Sequence, residues 1–276
     1  MALDRELTPS VGFSRTANLF DPGHNRTNHP ALRHQAINAG NAAHVLGRFS
    51  ERAKLKKTAP MSRNARFAIL AYEDVEPIDV GAAYGVLSMA RRILPSINMF
   101  LVGAHPGPTR LANGLVVDVA HGYKNCPPAE VVIVTGGPGW ERQTRSAETL
   151  QFIQERAQHS MIASICTGAM ILAAAGLLDG LAATTRSCGT DSETVPLEMM
   201  KITYGRVKTV EAVIVDNGSI ITGGGVTLGI DTMLYILGKL FGSDVADDVA
   251  RMMAYTHARK ANRSAIGYVL EEKHNS

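Results

Sequence analysis

The chain has 276 residues, of which 45% are hydrophobic and 19% charged, and its formal net charge is +3. No apolar run reaches the roughly 18 residues that a membrane-spanning helix needs, so we expect a soluble protein that does not enter a membrane. The three cysteines, Cys126, Cys166 and Cys188, show no spacing typical of disulfides or zinc sites, which predicts a reduced, cytoplasmic protein without a metal.

The first 60 residues differ in composition from the remainder. They contain nine Lys or Arg and four Asp or Glu residues, a charge of about +5, and show no sustained hydrophobic period beyond a loose helical spacing at 41–57. We predict a disordered basic leader over 1–60, or an upstream extension of a chain that starts at Met61. An organelle-targeting segment and a nucleic-acid-binding arm are the alternatives. The folded domain is expected over 61–276.

From residue 66 onward, short apolar segments alternate with segments of helical spacing. The run 131–135 is continuously apolar up to its last residue, which is typical of a strand covered on both faces. Asp216, Asn217 and Gly218 predict a hairpin turn. The pattern predicts strands at 67–71, 97–102, 115–120, 131–135, 161–165, 182–185, 207–210, 212–215 and 220–222, and helices at 79–94, 149–158, 167–178, 226–241 and 244–255. This alternation favours one α/β domain with a mostly parallel sheet between helices.

Residues 161–170, of sequence MIASICTGAM, carry the clearest chemical signal. An apolar strand ends at Cys166 and a helix begins within two residues, so the chain must turn sharply there, and Gly168 leaves room for the turn. The N–H groups of a helix N-terminus lower the pKa of a thiol and can hold a developing negative charge. We therefore predict that Cys166 is a nucleophile with a lowered pKa; the alternative is a small buried packing residue.

Four motifs together resemble the ThiJ/PfpI superfamily of class I glutamine amidotransferase-like proteins. The segment SICTGAMILAAAGLLDG at 164–180 resembles its nucleophile elbow, and TGGPG, ITGGGVTLGID and VADDVARMMAY at 135–139, 221–231 and 245–255 resemble further segments in the same order. Thr135 stands where the family pattern has Pro. The resemblance spans about residues 66–256 and is closest to the branch of isonitrile hydratases and AraC-type regulator sensor domains. It implies a flavodoxin-like three-layer α/β sandwich with a nucleophile elbow.

The same resemblance assigns roles to residues around the cysteine. It implies that Asp79, at the head of the first helix, leans over Cys166 and transfers protons, although Asp79 also suits a helix N-cap and Glu76 is a nearby competitor. It implies that the Gly137 N–H, with Gly136 beside it, helps to bind an anion, the alternative being an ordinary turn. Thr167 is expected to hydrogen-bond a substrate or water, or else to be a plain first-turn residue.

Two features argue against other activities. The branch usually has His where this chain has Arg186, so the Cys–His pair of PfpI proteases and amidotransferases is not supplied at that place. An arginine stabilises a thiolate but cannot act as a base. The run 223–225 of three glycines precedes a helix, but without a phosphate-binding pattern it indicates close backbone packing and not a phosphate site.

The resemblance implies an isonitrile hydratase-like enzyme in which Cys166 and Asp79 add water to an isonitrile and release an N-substituted formamide. No metal or organic cofactor is required, the substrate is a small molecule, and neither nucleic acid nor membrane is a partner. Superfamily members usually form two-fold dimers, so a homodimer is expected. The alternative is a ligand-sensing domain related to AraC-type regulators; the DNA-binding region that follows such domains is not expected within this sequence.

Overall fold

The computed structural model describes residues 65–270. The predicted leader at 1–60, its loose helix and the start at Met61 lie outside these residues, as does the end of the chain from 271. The predicted domain can therefore be compared with the structure from residue 65 onward.

The described chain alternates strands and helices in the predicted manner. The strands are β1 Arg66–Leu70, β2 Asn98–Gly103, β3 Gly107–Arg110, β4 Val116–Val119, β5 His121–Gly122, β6 Val131–Val134, β7 Met161–Ser164, β8 Ala182–Ala183, β9 Lys208–Thr209, β10 Ile214–Asp216, β11 Ile220–Gly223 and β12 Tyr268–Leu270. The helices are α1 Pro77–Ala90, α2 Trp140–Thr144, α3 Ala147–Ala157, α4 Gly168–Ala174, α5 Pro196–Thr203, α6 Leu228–Phe241, α7 Ser243–Met252 and α8 Thr256–Ala265.

One eight-stranded sheet organises the molecule. Its strand order is β12-β10-β11-β7-β6-β1-β2-β5. All neighbouring pairs from β11 to β5 are parallel, whereas β10 runs antiparallel to β11 and β12 runs parallel to β10. The hairpin predicted at residues 216–218 is the β10–β11 connection. The prediction of a mostly parallel sheet is confirmed.

Alternate side chains of the central strands enter two separate apolar cores. In β1, Phe67 and Ile69 belong to one buried cluster, and Ala68 and Leu70 belong to the other. The first cluster also contains residues of α1, α6 and α7, and the second contains residues of α3 and α4. Helices therefore cover both faces of the sheet, which is the predicted three-layer sandwich.

Several boundaries differ from the predictions for local reasons. Helix α4 ends at Ala174 and not at 178, because the chain turns at Gly176, whose φ is 74°. Strand β4 pairs with β3 in a separate hairpin, although no strand was predicted at the residues of β3. Helix α8 and strand β12 were not predicted, and α8 buries none of its residues, so it shows no apolar period for sequence reasoning to find.

The helices of the described part are short. The longest, α1 and α6, have 14 residues each. Between residues 65 and 270, no helix combines the length and the apolar character that crossing a membrane requires.

Candidate active site

Cys166 lies at a sharp turn between β7 and α4. Its φ is 56°, in the left-handed region that residues with a side chain rarely adopt. The Cys166 N–H donates to the Gly224 carbonyl at 3.3 Å, and the Thr185 hydroxyl donates to the Cys166 carbonyl at 2.7 Å. A Cβ on Gly168 would collide with the Val134 carbonyl, so glycine is what lets α4 start this close to β6. The predicted nucleophile elbow is present, and surrounding contacts hold its strained backbone.

Asp79 lies in the first turn of α1 and is fully buried. The N-cap position belongs to Glu76, so Asp79 is not the cap of this helix. Its Oδ2 accepts a hydrogen bond from the Gly136 N–H at 2.9 Å, whereas its Oδ1 has no hydrogen-bond partner within residues 65–270. A buried polar atom without a partner reduces stability, and functional sites are where such atoms are often retained.

Gly136 and Gly137 connect Asp79 with Thr167 just after β6. A Cβ on Gly136 would lie 2.5 Å from the Thr167 N and 2.9 Å from the Asp79 Oδ2, so this glycine fits between the two residues. The Gly137 N–H donates to the Thr167 Oγ1 at 2.9 Å. Gly137 has a φ of 133°, and a Cβ there would collide with the Glu76 backbone. Both glycine N–H groups therefore engage side chains of the site, and anion binding by Gly137 stays a prediction.

Burial raises the pKa of the Asp79 carboxyl from 3.8 to about 7. The negative charge of Glu76 raises this pKa as well, while the Gly136 N–H, the Cys166 thiol and the Arg186 guanidinium lower it. A carboxyl group with a pKa near neutrality can both accept and release a proton at physiological pH.

The Cys166 thiol is also buried, with only 3% of the residue exposed. Burial and the charge of Asp79 raise its pKa from 9.0 to about 12, although the Thr167 N–H and hydroxyl and the Arg186 guanidinium lower it. The predicted lowered pKa of Cys166 is therefore wrong. The helix N-terminus acts in the expected direction, but burial and the neighbouring carboxylate outweigh it. The Asp79 carboxyl therefore ionises before the Cys166 thiol, and the two groups titrate as a coupled pair.

Arg186 stands where the resemblance leads us to expect histidine. Its guanidinium forms a two-point ion pair with Glu193, in which Nη1 donates to Oε2 at 3.1 Å and Nη2 donates to Oε1. Nη1 also donates to the Cys188 carbonyl at 3.1 Å. The positive charge lowers the pKa of both Cys166 and Asp79. Arg186 therefore stabilises negative charge on the pair, but it cannot accept a proton from it.

Comparison with known proteins identifies the family to which this arrangement belongs. The DJ-1/PfpI family profile matches residues 65–239, which include the strained cysteine and the buried carboxyl beside it. The chain belongs to the DJ-1/PfpI family.

Two curated proteins that are similar in sequence to this DJ-1/PfpI chain differ from each other in function. It is 32% identical to the isonitrile hydratase of Pseudomonas putida over 194 residues, which cover 70% of this chain and 79% of that protein. It is 30% identical to the HTH-type transcriptional regulator GbdR of Pseudomonas aeruginosa over 149 residues, 54% of this chain but only 38% of the regulator. The two matches correspond to the two functions that the motifs implied.

The fold agrees with solved DJ-1/PfpI structures. A ThiJ/PfpI family protein from Pseudomonas syringae superposes with a TM-score of 0.63 at 24% identity, covering 83% of this chain and 91% of that chain. At this level of identity the likeness concerns the fold. It confirms the flavodoxin-like three-layer arrangement that the motifs implied.

A cavity of about 400 Å³ opens onto the cysteine of this DJ-1/PfpI domain. This volume suits a small molecule. Apolar and charged side chains share its wall with the Cys166 thiol and the Thr167 hydroxyl. The lining residues are Glu76, Gly137, Pro138, Trp140, Glu141, Cys166, Thr167, Arg186, Glu193 and Val226.

Sequence reasoning missed Gly225, Trp140 and Glu193. A Cβ on Gly225 would lie 2.8 Å from the Cys166 sulfur, so this glycine leaves room for the thiol. A Cβ on Gly223 would collide with the Thr232 side chain, which supports the prediction that the glycine run serves close packing. The glycine run is visible in the sequence. Gly225 is separated from Cys166 by 59 positions in the chain, however, so no local pattern predicts that it lies against the sulfur.

Residues that commonly bind metals are not clustered in the part of the chain that the structure describes. Within it, no group of three or more His, Cys, Asp or Glu side chains is arranged to hold a metal ion. His105, His159 and His257 are exposed, whereas His121 is half-buried. His274 lies outside the described residues.

Proposed function

We propose that the protein is a cysteine-dependent hydratase that adds water to an isonitrile and releases an N-substituted formamide. The observation that carries the proposal is the buried Asp79 beside Cys166, with a pKa near neutrality and one oxygen that has no hydrogen-bond partner among residues 65–270. This pair occurs in a chain that is 32% identical to an isonitrile hydratase over most of that enzyme's length. The required chemistry consists of nucleophilic addition and proton transfers, and the side chains of this site can supply both.

In the first step, the sulfur of Cys166 adds to the terminal carbon of the isonitrile. The thiol proton passes to the Asp79 carboxylate as the C–S bond forms, and Asp79 then delivers it to the same carbon. The product is a thioimidate on Cys166 with a new C–H bond. The Thr167 N–H and hydroxyl lower the pKa of the thiol, so they favour negative charge on sulfur while the proton moves.

In the second step, water adds to the thioimidate carbon. The Asp79 carboxylate removes a proton from the water and delivers it to the imidate nitrogen, so that a neutral tetrahedral intermediate forms. Its C–S bond then breaks, and the hydroxyl proton passes through Asp79 to the departing sulfur. The formamide is released and Cys166 returns as a thiol, with one water consumed for each isonitrile.

A ligand-sensing domain is the second candidate function. It is favoured by the 30% identity to the GbdR regulator, although the match spans 38% of that protein. A sensor would use the same cavity to bind a small molecule without turnover. The discriminating property is therefore product formation and not binding.

The direct test is formamide production from a panel of aliphatic and aromatic isonitriles, followed by proton NMR. We expect turnover by the wild-type protein and by Cys188→Ala, which removes an exposed cysteine, and none by Cys166→Ala. Saturable binding of isonitriles with no formamide from any of them would reject the hydratase and favour the sensor.

We also propose that the chain forms a homodimer in the cytoplasm. Support comes from the exposed side of α1, which begins at the site and presents Ile78 and Tyr84, each 41% exposed, together with Gly81 and Ser88. This side of the helix carries no charged side chain, and burial of such a surface favours association. Sedimentation velocity at micromolar concentration should show a dimer that Tyr84→Glu dissociates. A wild-type monomer would reject it.

A further inference from the structure

The wall of the cavity carries more negative charge than positive. Three of its lining side chains are carboxylates, Glu76, Glu141 and Glu193, and one is a cation, Arg186. The positive charge of Arg186 is already paired with the Glu193 carboxylate, and three of its five N–H donors are taken by Glu193 and the Cys188 carbonyl. The charge that remains available to a ligand is therefore negative.

Glu76 is the carboxylate best placed to act on a ligand. Its side chain makes no ion pair or hydrogen bond with another residue of the 65–270 range, although it is half-buried at the N-cap of α1. Its charge reaches the centre of the site, since it raises the pKa of Asp79. Glu141 is more exposed, and its contact with Arg145 at 3.7 Å is a surface ion pair of small effect.

Trp140 adds a second feature that suits a cation. It is the only tryptophan of the chain and lines the same cavity at the start of α2, next to Glu141. The face of an indole ring attracts ammonium groups, most strongly where water is partly excluded. An aromatic ring and an unpaired carboxylate in one small cavity are complementary to a positively charged organic group and repel a negatively charged one.

We propose that the substrate carries a positively charged group, such as an alkylated ammonium, which binds between Glu76 and Trp140 while its reactive carbon lies at Cys166. This inference rests on the proposed function for the reactive end of the substrate, but its charge preference depends only on the cavity wall. A neutral substrate of the same shape binds more weakly, and an anionic one binds most weakly.

Binding of unreactive probes tests the preference without requiring turnover. Choline and 3,3-dimethylbutan-1-ol have the same shape and differ in charge, and 3,3-dimethylbutanoate supplies the anion. By calorimetry, we expect wild-type protein to bind choline about tenfold more tightly than the neutral alcohol. The ratio of the two affinities should decrease in high salt, because salt screens the charges. Glu76→Gln should reduce the ratio of the affinity for choline to the affinity for the alcohol to about threefold or less. Glu155→Gln, the same change on an exposed face of α3, should preserve it.

The outcomes separate this inference from the proposed function. Equal affinity for choline and the alcohol, no binding of choline at 50 mM, or tighter binding of the anion would overturn the charge preference. Tighter binding of the anion would indicate that Arg186 binds the charged group of the ligand.

A kinetic experiment makes the same comparison with two substrates, (2-isocyanoethyl)trimethylammonium and the neutral 3,3-dimethylbutyl isocyanide. Turnover of both at equal kcat/KM would reject the charge preference alone. A choline preference without turnover of any isonitrile would reject the hydratase alone.

Discussion

Asp79 connects the stability of the protein with its proposed chemistry. The folded state raises the pKa of this carboxyl from 3.8 to about 7, chiefly through burial. The stabilising contribution of the protonated carboxyl is therefore complete below about pH 4 and is lost as the pH rises to about 7. An ionisable group at this buried position therefore costs stability at neutral and higher pH, a cost that the proposed proton transfer by Asp79 accounts for.

Asp79→Asn should stabilise the protein at pH 8. The amide keeps an oxygen for the Gly136 N–H and cannot ionise, and raising the pKa of the carboxyl from 3.8 to about 7 corresponds to about 4 kcal/mol. Urea unfolding should give the variant an advantage of about 2 to 4 kcal/mol at pH 8, shrinking towards pH 4. Asp118→Asn, a control at an exposed position, should show no such pH-dependent gain in the free energy of unfolding. A variant that is less stable than wild type at pH 8 would contradict the raised pKa.

The sequence identifies some site residues and not others, for reasons of chain distance. Cys166 and Thr167 lie at a strand–helix boundary that local patterns mark, and Asp79 lies in the first turn of a predictable helix. The proton balance of the pair depends on burial by the whole fold, which is why the expected low pKa of Cys166 was wrong. The ion pair of Arg186 with Glu193 depends on the irregular segment between β8 and α5, where no pattern indicates which side chains meet.

At the scale of elements, the site depends on how closely α4 approaches β6. Gly168 makes this approach possible, because any Cβ there would meet the Val134 carbonyl. This packing contact between a helix and a strand places the start of α4 beside the turn at Gly136, while hydrogen bonds to Gly224 and Thr185 hold the Cys166 backbone.

Gly168→Ala should destabilise the protein by about 1 to 3 kcal/mol, because the backbone carbonyl of β6 cannot move aside as a flexible side chain would. Gly238→Ala on α6 is the matched control. A Cβ at that position would find its nearest neighbour at 3.4 Å, and alanine favours helix by up to about 1 kcal/mol. Urea unfolding of the two variants measures the difference. If the two variants had equal free energies of unfolding, α4 would be able to move away from β6 without loss of stability, which would contradict this prediction.

The elements found from sequence are those with apolar side chains at regular intervals. Strand β6 is buried at every position, and α6 buries eight of its residues, so both carry a clear pattern. Helix α8 buries no residue, and β3, of sequence GPTR, contains no large apolar side chain, so neither has an apolar signature. Their positions follow from tertiary contacts, which local sequence does not encode.

At the scale of the whole molecule, the DJ-1/PfpI family match begins at residue 65 and leaves out the basic segment before it. The basic segment 1–60 is therefore expected to be dispensable for the domain.

A chain that begins at Met61 should fold and retain its melting temperature within about 2 to 4 °C, the shift that about 1 kcal/mol produces in a domain of this size. Differential scanning calorimetry of the two chains provides the measurement. Aggregation of the shorter chain, or a larger fall in Tm, would show that the first 60 residues pack on the domain.

The pH dependence of kcat/KM for isonitrile hydration tests the central claim most directly, since it measures whether Asp79 moves the proton that Cys166 releases. We predict that wild-type activity rises with pH and levels off above an apparent pKa of about 7, where Asp79 becomes ionised. Asp79→Asn should reduce kcat/KM by about 10² to 10⁴ and lose this midpoint while the protein remains folded. A variant that keeps wild-type kcat/KM, or the same midpoint, would contradict the account.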